Sequence, residues 1–193
     1  MISIAEIDEK LGQVLSEKRY THSVYVAHTA SELAERFGYD RNKAFIAGLI
    51  HDCAKYMTYD VMLQTAKQYG YTLDETTLHC PGVIHADIGA LVAEHEYGIS
   101  DTEILDAIRY HTVARKGMTL LDKIIYLADI IEPNRDFDGV DVLRELSKKD
   151  LDKAFFEALK FSLGYNLKKE TIIHPATLDA WNDVLINTRE EQI

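Results

Sequence analysis

The sequence predicts an all-α fold, one helical bundle spanning residues 1–193 around a buried polar site. Three observations carry that prediction. Apolar residues recur at helical spacing along nearly the whole chain, while alternating period-two runs are scarce. The 3 prolines, Pro81, Pro133 and Pro175, fall between the periodic segments, where helices stop. No internal repeat, low-complexity tract or Gly/Ser linker divides the chain, so it reads as a single domain. Its core is expected over about 19–135, with C-terminal helices over about 150–188 packed on it.

The elements follow in order. Val24, Val26, Ala30, Leu33 and Phe37 trace one stripe, closed by Gly38 as a C-cap. Ala44, Ala47, Leu49 and Ile50 make a second helix running into His51-Asp52. Val61 to Gly70 reads as a short surface helix. Ile88, Leu91 and Val92 belong to a helix ending at Gly98. Ile104, Ala107 and Ile108 follow, capped by Ser100 or Asp101. Leu121, Ile124, Ile125, Ala128 and Ile131 form the next, stopped by Glu132-Pro133. Asp150 to Asn166, with Leu151, Phe155, Ala158 and Phe161, and Thr177 to Thr188 complete the set.

Composition narrows the function. With 21 basic and 32 acidic side chains the formal charge is −11, which argues against a nucleic-acid or membrane-surface binder. The opening MISIAEIDEK has neither a basic nor an apolar leader segment, and the longest apolar run, Ala44 to Ile50, is far short of a membrane span. Cys53 and Cys80 form no CxxC and no disulfide framework. A soluble cytoplasmic protein is expected.

The informative residues are ionisable side chains that fall on inward faces. His22 shares a face with Val26, Thr29 and Leu33; His51 follows the small residues Ala44, Ala47 and Gly48. Asp52 shares a stripe with Phe45, Gly48 and Leu49. His85 leads Ile88, Gly89 and Val92, His111 ends Ile104, Ala107 and Ile108, and Asp129 follows Leu121 and Ile125. A lone histidine on such a stripe is usually a satisfied core residue. Four histidines and two aspartates on five helices are a different matter, because buried carboxylates need compensation. A shared divalent cation would compensate them. Mixed His/carboxylate sets suit iron, manganese, zinc, nickel or cobalt better than calcium or magnesium. No HExxH or cysteine pair points to a zinc protease or structural zinc. His28 lies on a mostly solvated face, His95 at a helix edge, and His79 and His174 in loops.

The ordered set His22, His51-Asp52, His85, His111 and Asp129 resembles the HD-domain metal-dependent phosphohydrolases. More narrowly, Arg19-Tyr20-Thr21-His22-Ser23, Ala47-Gly48-Leu49-Ile50-His51-Asp52-Cys53-Ala54-Lys55 and Ile84-His85-Ala86 look like the YqeK family. So do Ala107-Ile108-Arg109-Tyr110-His111-Thr112 and Tyr126-Leu127-Ala128-Asp129-Ile130-Ile131-Glu132-Pro133-Asn134-Arg135. The likeness runs from about Arg19 to about Asn182; one departure is Val113-Ala114, where a glycine is expected after the His-Thr pair. The resemblance implies symmetrical hydrolysis of diadenosine tetraphosphate to two ADP, with iron the usual metal and a homodimer the usual assembly. By that analogy His22, His51, Asp52 and Asp129 hold the first metal. Asp52 then either bridges to a second ion shared with His85 and His111, or those two histidines face the phosphates. Lys55, at i+4 from His51 in an HDxxK arrangement, is expected on phosphate and joins Asp52 in catalysis. Arg19 and Arg135 enter the same mouth if the ligands converge, and guanidinium suits phosphate. Thr171, Ile172, Ile173 and His174 are expected against the nucleoside by family analogy. Arg109, on the opposite side of its helix from His111, reads as a surface residue.

Two other readings compete. One keeps the metal and changes the substrate to a nucleoside monophosphate, a cyclic nucleotide or a guanosine nucleotide. The other is a non-catalytic nucleotide-sensing module.

Overall fold

The computed structural model describes residues 2–190, and no strand occurs among them. Among the described residues eleven helices follow one another: α1 Ile4–Val14, α2 Glu17–Arg36, α3 Arg41–Ile50, α4 Tyr59–Gln68, α5 Glu75–Leu78 and α6 Ile84–His95. After them come α7 Thr102–Tyr110, α8 Leu120–Ile131, α9 Val140–Ser147, α10 Leu151–Lys169 and α11 Pro175–Glu190. None is long and apolar enough to cross a membrane.

Side-chain caps set most of the helix starts. Ser3 and Glu6 form a reciprocal capping box on α1, and Thr119 and Asp122 form another on α8. Ser16 caps α2 through the Arg19 N–H, and Asp101 rather than Ser100 caps α7 through the Glu103 N–H at 3.0 Å. Gly38 and Gly98, both with positive φ, close the turns after α2 and α6.

Packing then places the site. α2 lies tightly along α3, α8 packs against both, and α7 packs against α3 and α8, while α6 covers α7. The tightest point is Gly48, where a Cβ would lie 2.8 Å from the Ala27 Cα. Ile50, Ile84, Ile88, Ile108, Leu121, Ile124 and Ile125 are fully buried between these helices. Each such side chain contributes about 1.5–3 kcal/mol relative to exposure. α9 and α10 buttress the outer side of α8, and α11 rests on α10.

The structure differs from the sequence reading at several points. α1, α5 and α9 were not anticipated. α3 stops at Ile50, and His51 to Tyr56 continue as consecutive turns, so the i+4 relation of Lys55 to His51 is not that of a regular helix. Phe161 does not face the core with Phe155: α10 has run past the core there, and Phe161 is exposed and stacked on Phe137 at 4.4 Å. Arg109 is not a free surface residue; it is half-buried, 3.5 Å from the Asp87 carboxylate and over the Tyr71 ring.

At the Val113-Ala114 departure, Ala114 is fully buried with φ 60, the left-handed region that favours glycine. A side chain there costs about 1–2 kcal/mol. Removing it sheds that strain but also loses a buried methyl, about 0.8 kcal/mol, and adds unfolded-state freedom. Ala114→Gly is therefore expected to be neutral to within about 1 kcal/mol in urea unfolding, whereas Ala→Gly within a helix costs about 1 kcal/mol before any methyl is counted.

Candidate metal centre

Six side chains expected on inward faces meet in one cluster at the junction of α2, α3, α6, α7 and α8. Asp52 stands at its middle, and its two oxygens face different partners. Oδ2 lies 2.6 Å from Arg19 Nη1, 3.4 Å from His51 Nε2 and 3.8 Å from His22 Nε2. Oδ1 lies 3.2 Å from His85 Nε2 and 3.7 Å from His111 Nε2. Asp129 Oδ1 is 3.0 Å from His22 Nε2 and 4.0 Å from His51 Nε2.

Local structure decides the histidine tautomers. His51 and His111 sit just past the ends of α3 and α7, where the last carbonyls of a helix lack partners. Each turns Nδ1–H back onto such a carbonyl at 2.6 Å, Gly48 O and Ile108 O respectively. His22 Nδ1–H is held at 3.1 Å by the buried carboxylate of Glu132. All three therefore carry the proton on Nδ1 and turn the Nε2 lone pair inward, the arrangement of metal-binding imidazoles. His85 is the opposite. Lys55 Nζ donates to its Nδ1 at 2.9 Å, so the proton sits on Nε2 and is shared with His111 Nε2 at 3.2 Å.

The donor set fits a divalent cation. His22 Nε2, His51 Nε2 and Asp52 Oδ1 are buried without hydrogen-bond partners, and lone pairs of His22 and Asp129 face each other at 3.0 Å. Within the described residues, His22, His51 and Asp129 form one group whose donor atoms lie within 4.8 Å of one another, and His51, Asp52 and His111 form another. Such converging acceptors are costly unless a cation lies between them.

Electrostatics agree. Burial pushes the Asp129 carboxyl up, but the His22 and His51 rings and the Arg135 guanidinium beside it hold it far below the usual range. Asp52 is likewise held well down, burial being outweighed by His51, His111 and His85. His85 is pushed down to about 4, chiefly by burial, so it is neutral at pH 7. Burial also lowers the Lys55 ammonium.

Sequence reasoning missed the supports. Glu132, read as a helix stop, is 2% exposed, and besides His22 it accepts the Asn134 N–H at 2.6 Å. Its spacing of three residues from Asp129 on α8 was the available signal. Arg144 on α9 donates to the carbonyls of Ile131, Glu132 and Arg135 at 2.9, 2.8 and 2.7 Å, fixing the loop after α8. From that loop Arg135 donates to the Asp129 backbone carbonyl at 2.7 Å and pairs with its carboxylate.

One cavity opens onto the cluster, and a second is lined by residues next to His85 and His111 in the chain. On the Oδ2 side, one of about 490 Å³ contains His22, Arg19, Glu132 and Arg135 in its wall. Another, of about 420 Å³, contains none of the six cluster residues; it is lined by Val83, Thr112 and Val113, near His85 and His111 in the chain, together with Thr171, Ile172 and His174, while Ile173 is half-buried and does not line it. His174 is held there by Thr77 at 3.2 Å and Asp74 at 3.3 Å. A larger cavity of about 630 Å³ between α8, α10 and α11 holds none of these residues. Of the other histidines, His79 caps α5, His95 stacks on Tyr69 at 4.1 Å and His28 packs edge-on against Phe45.

Known proteins share this architecture. A model of the HD domain matches residues 19–134. The chain is 46% identical over 173 residues to the symmetrical bis(5'-nucleosyl)-tetraphosphatase of Bacillus subtilis strain 168, over 88% of this chain and 91% of that protein. It is 39% identical over 170 residues to the symmetrical bis(5'-nucleosyl)-tetraphosphatase of Staphylococcus aureus, over 87% of each. The crystal structure of a predicted HD superfamily hydrolase involved in NAD metabolism, from Clostridium acetobutylicum, superposes with a TM-score of 0.93 at 38% identity, over 97% of this chain and 99% of that one.

Proposed function

The chain belongs to the HD domain family, among the symmetrical bis(5'-nucleosyl)-tetraphosphatases, and we propose that it cleaves diadenosine tetraphosphate at its central anhydride, releasing two molecules of ADP. One observation carries the reading above all: converging Nε2 lone pairs and carboxylates, with three cationic side chains around them. We assign His22, His51, Asp52 and Asp129 as the metal ligands. His85 and His111 are assigned to the phosphates instead of a second ion, because the His85 proton lies on Nε2 and occupies the lone pair of His111. Iron is proposed as the ion on the family resemblance; manganese, zinc, nickel and cobalt share the ligand chemistry.

Held by these residues, a divalent ion would lower the pKa of bound water from 15.7 to ~7 and would polarise a phosphoryl oxygen. The chain's own residues do the rest. Asp52 and Asp129 are ionised, and each meets a guanidinium through the oxygen that also faces the imidazoles, Asp52 Oδ2 with Arg19 and Asp129 Oδ1 with Arg135. Arg19, Lys55 and Arg135 neutralise charge on the equatorial phosphoryl oxygens as the anhydride opens. One water is consumed: its oxygen joins one central phosphorus, and a proton passes to the oxygen leaving with the other ADP. His85, neutral and protonated on Nε2, is the group placed to donate a hydrogen bond there. Thr171, Ile172 and His174 are proposed to seat one nucleoside in the 420 Å³ cavity.

The exposed apolar residues Tyr165 and Leu167 on α10 support the homodimer, and the two unpaired cysteines support a cytoplasmic place. The assay is separation of nucleotide products after incubation with the iron- or manganese-loaded chain. ADP alone is expected; ATP plus AMP, or turnover of NAD or monophosphates in preference to the tetraphosphate, overturns the reading. Glu132→Gln keeps the shape but removes the charge that holds His22 Nδ1–H. Its metal affinity, titrated calorimetrically with manganese, is expected to fall about tenfold, near the lower end for an outer partner of a ligand.

A further inference from the structure

Central cleavage of a dinucleoside tetraphosphate requires the enzyme to hold a nucleoside diphosphate on each side of the broken bond. The cavity beside Asp52 Oδ2 has Arg19, His22, Glu132 and Arg135 of the family motifs in its wall, but the motifs do not account for Lys18, Asp136 and Phe137, which complete it. The cavity on the Oδ2 side lies between the start of α2 and the loop after α8. Its wall includes Ser16, Lys18, Arg19, Arg135, Asp136 and Phe137. At about 490 Å³ it falls within the range of small-molecule sites, about 300–1,000 Å³.

Its chemistry is graded. Arg19 and Arg135, at the metal-facing end, pair with Asp52 and Asp129, and are 37% and 39% exposed at the side chain. Lys18 is an exposed cation beside them. Phe137 adds an aromatic ring, backed by Phe161 at 4.4 Å with an interplanar angle of 28°. A guanidinium pair, an ammonium and a braced aromatic ring are the groups that recognise phosphates and a stacked base. Asp136 offers an acceptor for ribose hydroxyls. We propose that this cavity binds the second nucleoside diphosphate half of the substrate, its base on Phe137 and its phosphates on Lys18, Arg19 and Arg135. The inference rests on the hydrolase reading above and adds the residues that distinguish a dinucleoside from a mononucleoside polyphosphate.

Two measurements on the manganese-loaded full chain test it. In calorimetric titration with ADP, two sites per chain are expected, one of them weakened about tenfold by Phe137→Ala and by Lys18→Glu, in line with the contribution of one stacked base. In kinetics, the kcat/KM preference for diadenosine tetraphosphate over adenosine tetraphosphate is expected to fall about tenfold in both variants. A single ADP site in the parent overturns the proposal, and so does a preference that neither variant changes. Should the parent turn over neither tetraphosphate, the hydrolase reading fails, and the ADP titration still decides whether the second site exists. Lys18 is exposed on the first turn of α2, so Lys18→Glu carries the test if Phe137→Ala does not fold.

Discussion

Asp52→Asn is expected to release ADP from diadenosine tetraphosphate at less than about one thousandth of the parent rate and to purify without stoichiometric metal. The substitution is isosteric, so packing at this 2%-exposed position is kept and the loss is chemical. Oδ2 now balances the Arg19 guanidinium at 2.6 Å, and Oδ1 lies near two imidazoles. An amide can offer an oxygen to only one of these sides. On the other it presents N–H groups, either to Arg19 or to the protonated Nε2 of His85. The site loses one ionic ligand and gains a donor–donor conflict. Rates of ADP release and elemental analysis of the same preparation measure the effect. Retention of more than about a tenth of parent activity would falsify the assignment of Asp52 as a ligand.

Gly48→Ala is expected to destabilise the fold by about 3 kcal/mol, lowering Tm by roughly 10 °C. Helix propensity alone predicts the reverse, since alanine is favoured over glycine in a helix by about 1 kcal/mol. The new Cβ, however, would lie 2.8 Å from the Ala27 Cα and 3.0 Å from its nitrogen, both backbone atoms that no rotamer change can move. α2 and α3 must separate, and they carry His22 on one side and His51-Asp52 on the other. Metal affinity should therefore fall with stability. A Tm equal to or above the parent's would show that the helices tolerate the wider crossing.

His22, His85 and Asp129 were readable because a polar residue on an apolar helical stripe is a local anomaly. The class of fold was readable for the same reason, from periodicity. The α1 helix carried its signal openly, in the Ser3-x-x-Glu6 capping box followed by buried Ile7 and Leu11. Lys55 was placed near the site for a partly wrong reason, since the helix stops at Ile50 and turns bring the side chain to His85. Glu132 was legible only as a carboxylate three residues past Asp129, since its partner His22 is 110 positions away, and Arg144 was not legible, since its partners are backbone carbonyls of a loop that no side-chain pattern announces. Arg109 failed likewise, because its carboxylate and aromatic partners, Asp87 and Tyr71, come from other segments.

The last carbonyls of α3 and α7 fix two imidazoles, and the same two helix ends have a consequence for the energetics of the whole chain. A helix C-terminus carries about half a negative charge, and here two of them point into a space already holding ionised Asp52 and Asp129. Folding thus concentrates negative potential in its own interior. An ion that binds only the folded chain relieves that self-repulsion and adds stability by mass action, about 2.7 kcal/mol at a hundred times its Kd. Cation supply and the folded population are therefore one linked equilibrium, so chelation should weaken the scaffold as well as silence the site.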